Sequence, residues 1–130
     1  MKYMLSFLAA VLLFACSGKL AEEEYYKKAQ EAYGEQKFAE AVENFKGLVD
    51  NYPDSKHQAE ALFLLGFINA NDIKNFDEAK KYYERFLEKF PEHDLADDAE
   101  YELKTLGKDI NDLPIFQNAN NDTTAEVTAK

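Results

Sequence analysis

Few side chains in this 130-residue chain have the types and spacing for chemistry. His57 and His93 each follow a proline by a few positions, and neither has a cysteine or a second histidine at a metal-ligand spacing. Both are expected to be solvated turn residues. No Ser, His and Asp arrangement is suggested, and no glycine-rich loop follows a strand. Asp97-Asp98 has the residue types of an acid and a base, but among 25 acidic residues a solvated face explains the pair. The single cysteine, Cys16, follows a small residue at the end of the apolar run Met4–Phe14. The sequence therefore predicts no enzyme, no metal site and no cofactor, and leaves Cys16 as the one reactive group whose position asks for a role.

The elements that must position any site come in two copies. Phe38, Ala41, Phe45, Leu48, Val49, Tyr52 and Pro53 fall on Phe76, Ala79, Tyr83, Phe86, Leu87, Phe90 and Pro91, each pair 38 positions apart. The offset continues through Ala61/Ala99, Phe63/Tyr101 and Leu65/Leu103. Self-similarity at such a period marks stacked units, each leaving an apolar face open until a neighbour covers it. Within a copy the steps of three and four put these residues on one helical face, and proline ends the helix. The pattern predicts helices over about 22–33, 38–52, 58–70, 76–90 and 95–106, with a turn over 71–75. The third of these is apolar almost all round and is expected to be covered on several sides.

The segments EQKFAEAVENFKGLVDNYPDS and IKNFDEAKKYYERFLEKFPEH each resemble the second half of a tetratricopeptide repeat (TPR). The resemblance puts Ala41 and Ala79 where helix B approaches helix A, and Phe45 and Tyr83 at the aromatic position beside it. Helix A would contribute Tyr25, Lys28 and Ala29 in the first repeat and Leu62, Leu65 and Gly66 in the second. Lys28 departs from the family's apolar preference. The period exceeds the family's usual one by three residues between Pro53 and Leu62 and one between Gly66 and Phe76. The implied fold is all-α: two TPR hairpins, about 22–55 and 58–93, plus a C-terminal capping helix, about 95–106, forming a right-handed α-solenoid fragment over 21–107. The polar stretch 108–130 is expected to be disordered, with Pro114, Ile115 and Phe116 able to tuck onto the cap.

The apolar run after Lys2 is too short to cross a bilayer but suits a secretory signal. Leu13-Phe14-Ala15-Cys16 resembles a bacterial lipobox, with Phe14 larger than the residue usual there. That likeness implies a signal peptide over 1–15, a lipidated Cys16, a tether over 16–20 and a membrane contact through the acyl chains. Ser17 after the cysteine implies the outer membrane.

A formal charge of −10 repels phosphate backbones, so nucleic acid is not an expected partner. In the TPR family, helix A residues line a concave face that takes peptide segments. Carried over by position, that face holds Glu23, Tyr26, Gln30 and Tyr33, then Glu60, Phe63, Phe67 and Asn71, and finally Tyr101 and Thr105. Phe63, Phe67 and Tyr101 could equally be core. The whole resembles the repeat regions of BamD-like assembly lipoproteins and of Tol-Pal-associated periplasmic TPR proteins. The implied function is a non-catalytic adaptor binding protein segments in the cell envelope. A self-associating, homo-oligomeric structural component and an accessory subunit of an envelope enzyme are the alternatives.

Overall fold

Wherever the apolar residues step by three and four, the chain is helical. A computed structural model describes residues 18–108, which form α1 (Glu22–Gly34), α2 (Phe38–Asn51), α3 (Gln58–Ile68), α4 (Phe76–Lys89) and α5 (Ala96–Thr105). Their starts are chemically marked. Glu22, Glu23 and Glu24 occupy the first turn of α1, where carboxylates meet the positive end of the helix dipole. Asn75 caps α4, its side chain accepting from the Glu78 N–H at 3.3 Å. α2 and α4 stop one residue short of Tyr52-Pro53 and Phe90-Pro91, as proline requires of the chain before it.

The expected turn over 71–75 is different in kind. α3 gives way after Ile68 to a π-helical turn, Asn69–Ile73, closed by Lys74 in the left-handed conformation (φ 63°). The Asn75 N–H returns to the Asn69 carbonyl at 2.7 Å. A π turn holds one more residue between hydrogen-bonded groups than an α turn. It thereby absorbs the residue that the second repeat carries in excess between Gly66 and Phe76.

α1 packs on α2, α3 lies between α2 and α4, and α5 closes on α4. Ala41, Leu48, Leu62, Leu65, Ala79, Tyr83, Phe86 and Ala99 are fully buried, and Phe45 nearly so. Each large apolar side chain among them contributes about 1.5–3 kcal/mol by leaving water. α3 buries residues on most of its circumference, as its composition requires.

The antiparallel pairs bring the start of α1, α3 and α5 and the end of α2 and α4 to one end of the stack. Ser55 Oγ donates to Glu22 at 2.6 Å and Lys89 Nζ to the Pro53 carbonyl at 3.2 Å there. The entering chain is fastened to the same end. Lys19 Nζ donates to the Asn51 carbonyl at 3.1 Å and lies 4.2 Å above the Tyr52 ring, while the Tyr52 hydroxyl donates to the Leu20 carbonyl at 2.8 Å. Two residues assigned to the tether are thus held by the fold. The expected signal peptide, Cys16, and the tail with Pro114, Ile115 and Phe116 lie outside the described residues. No helix among the described residues is long and apolar enough to cross a membrane.

Candidate peptide-binding face

The residues carried over to the helix A face fall into three groups along α1, α3 and α5. At the end where the chain enters, the Tyr26 hydroxyl donates to Glu60 at 2.7 Å and ties α1 to α3. The Tyr26 ring lies flat on the His57 imidazole, centroids 3.7 Å apart, and meets Phe45 edge-on at 6.3 Å. Burial, then the carboxylate of Glu60, pushes the Tyr26 phenol up to about 12. Glu23 contacts Lys56 at 2.7 Å and His57 at 3.3 Å. The hydrogen bond from Lys56 holds its carboxyl below the usual range.

His57 is therefore no solvated turn residue: its side chain is 17% exposed and sandwiched by contacts from α1. The stacked first repeat puts Tyr26 over the turn that His57 occupies, and an imidazole face packs well on a phenol ring. His93 keeps an exposed place, its Nδ1 accepting from the Leu95 N–H at 3.1 Å.

In the middle, two predicted face residues are used for packing. Phe63 meets Tyr83 and Phe86 edge-on at 5.8 and 5.9 Å and so belongs with the core. Tyr33 tilts onto Phe38 at 5.9 Å, across the turn of its own hairpin. Gln30 is exposed. Phe67 is half-buried yet absent from the side chains packed against the core, and its carbonyl accepts from Asn71 Nδ2 at 3.1 Å.

At the far end, Asn71, Tyr101 and Thr105 line one open cavity of about 510 Å³ with Lys74 and Phe76. Tyr101 is 59% exposed, and Thr105 Oγ1 donates to its carbonyl at 2.9 Å. Lys74 and Phe76 were not anticipated there. Phe76 matches Phe38 in the repeat and shares its apolar helical face. The signal lay in its cover: Tyr33 shields Phe38, whereas Ala70 stands at the matching place in α3's extension and leaves Phe76 41% exposed.

These groups can grip an extended or helical segment through ring faces, amides and carboxylates, and they contain no nucleophile paired with a base. Among the described residues no three His, Cys, Asp or Glu side chains converge as metal ligands. No curated protein and no solved structure matches the chain. The family model described as YfiO, outer membrane lipoprotein, does match, over residues 19–130, which includes every helix described above. With a duplicated helical hairpin and a lipobox-like cysteine ahead of it, the chain belongs to this family of outer membrane lipoproteins, lipid-anchored in the cell envelope.

Proposed function

We propose that this lipoprotein is a non-catalytic adaptor, held on the membrane through Cys16, whose helix A face captures segments of other envelope proteins on the periplasmic side. Assembly of outer membrane proteins or organisation of the envelope would be served by such a part. The supporting observation is Phe67. It is a large, half-buried ring on α3 that stands outside the side chains packed on the core, at the place matching exposed Gln30 in α1 and Thr105 in α5. Aromatic rings offer broad, rigid contact at small entropic cost, and such residues carry most of the energy in many interfaces.

The geometry also sorts the candidates. Phe63 and Tyr33 are tied into packing, so their replacement disturbs the fold as well as the surface. Phe67→Ser does not. In cells carrying the full chain, Phe67→Ser is expected to reduce capture of the envelope partner at least about tenfold, roughly the loss of a 1.4 kcal/mol contact, while the purified chain loses no more than about 1 kcal/mol of unfolding stability. Undiminished capture would reject the reading.

A further inference from the structure

We infer that the chain's own segment 110–116 (INDLPIF) docks in the open cavity at the far end of the stack and covers Phe76 and Tyr101. This stands independently of the adaptor role.

The exposed large apolar side chains among the described residues are Ile73, Phe76 and Tyr101 at 40%, 41% and 59%. Phe76 and Tyr101 line the same cavity, and Ile73 precedes Phe76 by three residues. Apolar side chains left open to water at one place ask for a cover. In each repeat that cover is helix B lying against helix A, but α5 is a helix A with no helix B after it among the described residues. The repeat offset shows why a whole helix is not expected. Position 38 beyond Phe76 is Pro114, followed by Ile115 and Phe116, but the next places in the stripe fall on Gln117, Asn121 and Thr124. Only the apolar start of the stripe is kept.

The path of the chain leads there. α5 ends at Thr105, Leu106 is extended, and Gly107 adopts φ +70°. A Cβ on Gly107 would come within 3.3 Å of Phe76, so the turn hugs that ring. Gly107 and Lys108 themselves line the cavity. The chain is thus already at the rim when it leaves the described region, and Phe116 is eight residues beyond Lys108, a reach of up to about 28 Å when extended. Charge is compatible as well. Lys74 and Lys108 line the cavity with a single carboxylate, Glu102, and the segment brings Asp112 with Asp109 beside it.

The test is hydrogen exchange on the full chain in detergent, comparing it with the double variant Ile115→Asp, Phe116→Asp. Both substitutions lie outside the five helices. Peptides covering 70–76 and 101–107 should exchange about tenfold faster in the variant, while those within 58–66 are unchanged. Equal exchange in the two proteins would overturn the inference. So would protection that fades on dilution of the unaltered chain, which would make a second copy the cover.

Discussion

The two hairpins solve one packing problem in opposite ways. In the second, the glycine is on helix A and the aromatic on helix B: a Cβ on Gly66 would meet the Tyr83 ring at 2.7 Å. In the first, the roles are exchanged. Gly47 on α2 receives the Tyr25 ring of α1, while the place matching Gly66 is filled by fully buried Ala29. Close approach of two helices needs a gap opposite a ring, and either helix can supply the gap. The consequences differ because the rings differ in freedom. Tyr83 is fully buried and its hydroxyl has no hydrogen-bond partner among the described residues, whereas Tyr25 is only half-buried.

The largest effects should show what the hairpins share. Phe45 and Tyr83 hold matching places and are 1% and 0% exposed. Phe45→Ala and Tyr83→Ala should each cost about 3–5 kcal/mol in denaturant unfolding, and a near-neutral result at either would deny the equivalence. Next come the glycines. Gly66→Ala gains helix propensity of about 1 kcal/mol but forces a ring that cannot move, for a net loss of about 1–2 kcal/mol. Gly47→Ala, where Tyr25 can swing toward solvent, should stay within about 0.5 kcal/mol of the parent. Equal losses would mean that the two rings are equally confined.

A smaller effect has the opposite sign. Tyr83→Phe removes a buried hydroxyl without a partner and should raise stability by about 1 kcal/mol. The smallest is a slope. The Tyr26 phenol is raised to about 12, so its neutral form is favoured by folding. That stabilisation is complete below the unfolded value near 10 and is lost as pH rises through about 12. Melting temperatures should fall across this window and fall less steeply in Tyr26→Phe. Part of the slope should remain, since burial also raises Tyr82 and Tyr83. An unchanged slope would remove Tyr26 from the junction of α1 with α3.

Much of this fold could be read from the chain. Helical spacing, paired prolines and the repeat located five helices to within about two residues and put Ala41, Phe45, Ala79 and Tyr83 on one face, which the TPR resemblance turned toward helix A and which is buried. What stayed hidden depends on relations between elements. The residue extra to the period was visible, but not that a π turn would hold it. Periodicity reports which face of a helix is apolar, but His57 belongs to a turn and has no face. Its stacking on Tyr26 follows from how the first hairpin sits on the second. The helix A face was legible only as positions. Whether a ring there serves the core, as Phe63 does, or is left over, as Phe67 is, depends on what α4 presents opposite it.

Photo-crosslinking in intact cells gives the decisive comparison. A crosslinker would be placed in turn at Gln30, Phe67 and Thr105 on the helix A row and at Lys46 and Lys80 on exposed helix B positions. The helix A row should yield one common envelope partner and the helix B positions none of it. The same partner at Lys46 and Lys80, with none at Phe67, would contradict the binding face described above.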